Sequence, residues 1–264
     1  MDTDLNIYPV KDEGDDKAPK RELHPNLPDV YKAQAMLLVA PLRGGKGVLI
    51  QNLLHRFYKD LFNSIDFISP TAATDSTNRH SYELYKNSTH LEYDDSIIQG
   101  IISRQEDLMK NKLDTSYALI MDDCLGMLPK NGRKGNLVTY FLTRFRHYVT
   151  RKNNDACLFV FSTQKFREVH TVIRAQATTV MISSKLRNQK EIEALIEEYG
   201  DMYGGAENFM KMFNYVKKEK WAWLYLALDT GCAYKNFTEM LHDGDNLLKA
   251  NGEEGELEED DEEI

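Results

Sequence analysis

A lysine among glycines, two adjacent aspartates and a glutamine each stand at the end of an apolar run in this chain. The lysine is Lys46, in the turn PLRGGKG from Pro41 to Gly47. Backbone N–H groups in such a turn point inward, and an ammonium beside them can reach the β- and γ-phosphates of a nucleotide. Arg43, Gly44, Gly45, Lys46, Gly47 and Val48 are the candidate phosphate-binding residues. The aspartates close YALIMDD, Tyr117–Asp123. In an open α/β sheet, ligands bind beyond the carboxyl ends of the strands. Asp122 is placed there to serve Mg²⁺, and Asp123, one residue further out, to orient and polarise an attacking water. Gln164 follows CLFVFST and can read a γ-phosphate or hold that water; it also suits a strand-end cap.

The loop departs from the GxxxxGK[ST] pattern in two places. Aligned on Lys46, Ala40 replaces the first glycine, and Gly47 replaces the Ser or Thr whose hydroxyl ligates Mg²⁺. A glycine-rich turn with a solvated lysine accounts for this segment taken alone, and an aspartate cap accounts for the DD pair taken alone. Their succession in one chain favours chemistry.

The elements that must carry these residues follow from apolar periodicity. A buried strand over Ala35–Ala40 leads into the turn. A helix then runs to about Leu61, with Val48, Leu49, Leu53, Leu54 and Phe57 on one face. Strands are expected over Ser64–Pro70, Tyr117–Asp123, Cys157–Ser162, Thr178–Ser183, Trp221–Leu228 and Cys232–Phe237. Helices are expected over Tyr82–Asn87, from Asp94 or Asp95 to Lys112, over Asn136–Lys152, Asn188–Tyr199 and Ala206–Lys217. Leu125–Gly135 reads as a loop and Phe166–Arg174 as a short connector. The alternation predicts an α/β fold, a mostly parallel sheet covered by helices on both faces.

The chain has 264 residues and a formal charge of −9. That charge is unevenly spread: Tyr31–Ala250 holds 25 acidic and 29 basic residues, whereas Asn251–Ile264 holds nine acidic and no basic ones. A mildly basic core permits a polyanionic partner, and the acidic end could compete for the same surface or act only as a solubiliser. Arg144, Arg146, His147 and Arg151 share one face of the Asn136–Lys152 helix, either as a solvated face or as phosphate contacts. Residues 1–30 and 251–264 read as disordered tails around one domain, 31–250. Three unpaired cysteines, Cys124, Cys157 and Cys232, suggest a reducing compartment. No apolar run is long enough to cross a membrane, and the charged N-terminus is no signal peptide, so an intracellular, non-secreted protein is expected.

The ordered set PLRGGKG, FISPT (Phe67–Thr71), ALIMDD (Ala118–Asp123), TRFRH (Thr143–His147), FSTQ (Phe161–Gln164) and IRAQATTVMI (Ile173–Ile182) resembles the poxvirus-type viral DNA-packaging ATPases of the FtsK–HerA superfamily. The resemblance covers roughly Ala33–Phe237. It implies a phosphate-loop (RecA/FtsK-like) NTPase fold using ATP and Mg²⁺, with Lys46 on the phosphates, Asp122 on the metal, Asp123 on the water and Gln164 sensing the γ-phosphate. It further implies a homo-oligomeric ring, a hexamer above all, driving double-stranded DNA into a preformed capsid at its portal vertex, in the virion or a host-cell viral factory. Arg174 is then the candidate for neutralising charge across a subunit interface, with Arg144 and Arg146 as competitors. Two other readings remain. Gly47 favours a nucleotide- or DNA-binding assembly protein whose ATPase has decayed; a nucleoside or nucleotide kinase would need a phosphoacceptor pocket and an arginine-rich lid, and the Asp-Asp pair with the strand-end Gln164 argues against it.

Overall fold

The computed structural model describes residues 21–74, 77, 79–128, 137–150 and 154–248. The remaining parts of the two expected tails, the end of the loop expected over Leu125–Gly135, and Arg151 lie outside the described residues. Among the described residues, nine strands form one sheet: β1 (Gln34–Val39), β2 (Ser64–Ile68), β3 (Thr89–His90), β4 (Tyr117–Asp122), β5 (Cys157–Thr163), β6 (Thr179–Ser183), β7 (Trp223–Ala227), β8 (Cys232–Lys235) and β9 (Glu239–Asp243). Their order is β3-β2-β4-β5-β1-β6-β7-β8-β9. The first six in that order are parallel, and β7, β8 and β9 extend the sheet antiparallel.

The central strands are apolar except at their ends because both faces are covered. Ala35, Leu37 and Val39 of β1 pack with Leu119 and Met121 of β4 and Phe159 and Phe161 of β5 on one face. Met36 and Leu38 pack with Ile120, Leu158 and Val160 on the other. The α-helices among the described residues are α1 (Lys46–Asn52), α2 (Arg79–Leu84), α3 (Asp95–Lys110), α4 (Leu137–Leu142), α5 (Thr171–Gln176), α6 (Gln189–Tyr199) and α7 (Gly205–Lys217). The helices α3 to α7 supply residues to the first face, and α1 supplies Leu49 and Ile50 to the second. Residues 21–30, assigned to the N-terminal tail, are held against the second face. Val30 is buried there, and the buried Tyr58 hydroxyl donates to the Pro28 carbonyl at 2.7 Å.

Several expected boundaries are corrected. The first helix ends earlier than Leu61, passing after Asn52 into a π-helical turn over Leu53–Phe57. The helix expected over Tyr82–Asn87 is shifted to α2. The helix expected over Asn136–Lys152 is broken: α4 stops at Leu142, and Phe145–Tyr148 is a separate 3-10 turn. The expected connector Phe166–Arg174 contains a 3-10 turn, Phe166–Glu168, and the start of α5. The strand expected from Trp221 starts at Trp223. The strands β3 and β9 were not anticipated.

Candidate active site

Strand order gathers the site. Since β5 lies between β4 and β1, the carboxyl ends of these three parallel strands deliver Asp122–Asp123, Gln164 and the lysine turn to one sheet edge. The turn begins at once: Ala40 N–H still donates to the Thr163 carbonyl at 3.1 Å. Gly44 N–H then donates back to Pro41 O at 2.9 Å. A Cβ on Gly44 would stand 2.7 Å from both Ala40 Cβ and Pro41 O, so the fold admits no side chain there. Gly45 has φ +95°, a conformation open to glycine. It is also the N-cap of α1, its carbonyl accepting Leu49 N–H at 3.0 Å. Glycine brings no side-chain acceptor, which leaves the first-turn N–H groups of α1 to an external anion.

Lys46 is buried, and its ammonium lies 2.7 Å from Asp123 Oδ1. Gln164 Nε2 donates to the other oxygen, Asp123 Oδ2, at 3.3 Å. One carboxylate therefore bridges the lysine and the amide. Asp123 has φ +53°, a left-handed conformation that aspartate tolerates better than most residues. That turn takes its side chain out of the strand alternation. Its N–H donates to the carbonyl and the hydroxyl of Ser162, each at 3.3 Å.

Asp122 has a different setting. It is the last residue of β4, buried, in register with Ser162 of β5, and accepts that residue's hydroxyl in a hydrogen bond. The Asp123 carboxylate reaches the loop through Lys46, Asp122 precedes it at the end of β4, and Gly47 offers no hydroxyl. No cluster of three or more His, Cys, Asp or Glu side chains able to hold a metal by themselves exists among the described residues. The donor set nevertheless fits Mg²⁺ carried by a nucleotide, since that ion takes one or two carboxylates together with phosphate oxygens and waters. Cys124, next in the chain, is no nucleophile: burial, then Asp122 and Asp123, raise its thiol pKa, and it donates to Ile68 O at 3.0 Å.

The arginines lie elsewhere. Arg174, on α5, is ion-paired with Glu198 of α6 at 2.6 Å and sits over the Phe166 ring, and no contact joins it to Lys46, Asp123 or Gln164. Arg144 and Arg146 are exposed near the end of α4, with Arg144 over the ring of Tyr140.

Sequence reasoning missed the other wall of the loop. Ser183, ending β6, donates to Gly44 O at 2.8 Å, and Lys185 Nζ donates to Arg43 O at 3.4 Å. Trp221 and Trp223 stand beside Gly45, their ring atoms 3.7 Å and 3.6 Å from where its Cβ would be. Each lies at or within two residues of an end of β6 or β7, and only the antiparallel pairing of β7 with β6 brings the tryptophans to this edge.

Among the described residues, no helix is long and apolar enough to cross a membrane. No family model and no curated protein sequence matches the chain. Solved structures do. The genome packaging NTPase B204 from Sulfolobus turreted icosahedral virus 2 in complex with ATP-gammaS is similar with a TM-score of 0.52 and 16% identity, over 78% of this chain and 97% of that one. The same protein in complex with AMP gives 0.55 and 14%, over 78% and 97%. With AMPPCP it gives 0.51 and 15%, over 77% and 96%. The α/β architecture expected from the sequence is borne out: the chain shares the fold of these structures of a packaging NTPase, a mostly parallel sheet covered by helices.

Proposed function

We propose that the chain is a packaging ATPase that hydrolyses ATP to translocate double-stranded DNA into a preformed capsid. The observation that carries this reading is the Asp123 carboxylate shared between Lys46 and Gln164 at the mouth of the glycine turn. Phosphate oxygens compete with Asp123 for the Lys46 ammonium. Once Lys46 turns to them, Asp123 keeps Gln164 on one oxygen and has the other for an attacking water. Binding is thereby coupled to assembly of the hydrolytic pair. Mg²⁺, when bound, supplies charge neutralisation on the phosphates, and Asp122 is the residue that would hold it. The fold shared with a packaging NTPase supports the motor assignment. A homo-oligomeric ring, hexameric by preference, fits because an arginine given in trans lets one subunit gate its neighbour. The partners of that ring are duplex DNA and a capsid or portal vertex, in the virion or the infected cell.

The test is the ATPase rate with and without double-stranded DNA at controlled salt. DNA-stimulated turnover is the expected result. Gly47 favours a second reading, a nucleotide- or DNA-binding assembly protein with a decayed ATPase; ATP binding without turnover, DNA present or absent, would establish it.

A further inference from the structure

We infer that the indole of Trp221 is the platform on which the base of the bound nucleotide stacks. The inference rests on the phosphate-loop reading and adds the other end of the ligand.

Strand order fixes where that end must lie. The groups that address the γ-phosphate, Asp123 and Gln164, follow β4 and β5, on one side of β1. A triphosphate lying along the turn after β1 with its γ-end there directs its nucleoside toward β6 and β7. Because β7 runs antiparallel to β6 and Trp223 pairs with Ser183, the start of β7 reaches this same edge. Ser184 N–H donates to Ala222 O at 2.8 Å and fixes the segment. The Trp221 ring therefore stands 3.7 Å from where a Gly45 Cβ would be, and β6 and β7 lie on the side of β1 opposite β5 and β4.

The ring is also costly as placed. Trp221 is 48% exposed, whereas Trp223 is buried. Its φ of +73° is an outlier for a bulky side chain, and such strain collects at ligand clamps. Core packing does not account for this ring. Its setting suits an aromatic ligand near polyphosphate: Lys185 Nζ lies 3.0 Å from the ring centroid while donating to Arg43 O, so one ammonium links indole and loop. Lys220 approaches the same ring at 5.6 Å. Stacking on an indole is tolerant of base identity, because every base has a π-face. The site should accept nucleoside triphosphates whatever their base and gain little from inorganic polyphosphate.

The experiment compares ATP with inorganic tripolyphosphate, both with Mg²⁺, by calorimetry on the full chain and on Trp221→Gly. Glycine removes the ring and relaxes the left-handed backbone, so the variant keeps its fold. ATP affinity should fall about tenfold or more, with tripolyphosphate affinity unchanged. Trp221→Phe should restore most of the loss. If the parent and Trp221→Gly show the same ratio of ATP to tripolyphosphate affinity, the platform is overturned while the phosphate loop stands. If the parent binds neither compound, the phosphate-loop reading fails and this inference with it. An unchanged ratio with altered sedimentation would assign the ring to a contact between subunits, and also overturns it.

Discussion

Lys46 and Asp123, 77 residues apart in sequence, meet at 2.7 Å across the mouth of the glycine turn. The pair is unequal: the lysine side chain is 8% exposed and the carboxylate 29%. A buried ammonium held by a more accessible carboxylate is poised for exchange, since an incoming phosphate can displace the carboxylate into water at small cost. A lysine fixed between two buried partners would have no such freedom.

From this follows the first expectation. Lys46→Ala should reduce ATP affinity by about 10- to 100-fold, the worth of a charge-assisted contact. The melting temperature should change little, because Asp123 keeps solvent and Gln164. Calorimetry with ATP and a thermal melt measure both. Equal ATP affinity in variant and parent would remove the turn from the site.

The two aspartates should separate by role. Asp123→Asn removes the competitor for Lys46, so ATP should bind as well as in the parent or better, while turnover falls about 10²–10⁴-fold. Asp122→Asn should weaken Mg²⁺-dependent binding and hydrolysis together, and Ser162→Ala, which strips the Asp122 hydrogen bond, should do the same more mildly. Normal hydrolysis in both aspartate variants would reduce Tyr117–Asp123 to an ordinary strand.

How much of this was legible beforehand depended on whether local pattern or distant contact decided each feature. The strands β1, β4 and β5 were plain as unbroken apolar runs, because parallel strands covered on both faces have no polar alternation to obscure them. The helix expected over Asn136–Lys152 failed for a tertiary reason. Leu137, Phe141, Phe145 and Val149 keep a four-residue spacing, yet the Phe145 carbonyl accepts the buried Tyr117 hydroxyl at 3.0 Å and the Tyr148 carbonyl accepts Gln105 Nε2 at 3.2 Å. Those distant donors hold the chain out of a continuous helix. The two-residue β3 carries no periodicity to detect. In the candidate site, the convergence of Lys46, Asp123 and Gln164 on one sheet edge was legible from position, but the sharing of Asp123 was not, since it depends on a left-handed backbone at a non-glycine residue. Trp221 read as one more strand residue for the same reason.

Gly47→Ser should tighten Mg²⁺–ATP binding and partly rescue Asp122→Asn. The substitution restores a hydroxyl next to Lys46 in the first turn of α1 and removes a glycine that weakens a helix by up to about 1 kcal/mol. Titration of ATP with and without Mg²⁺ separates the effects: a gain seen without the ion is helix stabilisation alone, and counts against a metal beside this residue.

Removing Asn251–Ile264 should strengthen binding to duplex DNA. That segment carries nine acidic residues, whereas residues 31–250 carry four more basic than acidic ones, and a tethered polyanion competes with DNA phosphates. Affinity should rise most at low salt, where counterion release is largest. An unchanged affinity and salt slope would leave the segment as a solubiliser.

Arg174 poses the question of action in trans. Within its own chain it is committed: the guanidinium is bound to Glu198 at 2.6 Å, lies 5.3 Å from the Phe166 ring centroid, and is 18% exposed. Reaching a neighbour's γ-phosphate requires it to leave Glu198, so the ion pair is either a structural tie or a latch. The two roles predict different mixing behaviour. As a tie, Arg174→Ala lowers the melting temperature and any loss of turnover stays within the variant chain. As a latch, Arg174→Ala leaves ATP binding intact and abolishes turnover by the ring, an arginine in trans being worth about 10³–10⁵-fold. Mixing Arg174→Ala with Lys46→Ala subunits then restores activity, because interfaces form in which one subunit keeps the loop and the other keeps the arginine. Glu198→Gln, which frees the guanidinium without removing it, should raise turnover under the latch and only lower stability under the tie. Should mixed subunits stay inactive while Arg174→Ala alone is inactive and folded, the arginine acts within its own chain, and the exposed Arg144 and Arg146 become the residues to exchange next.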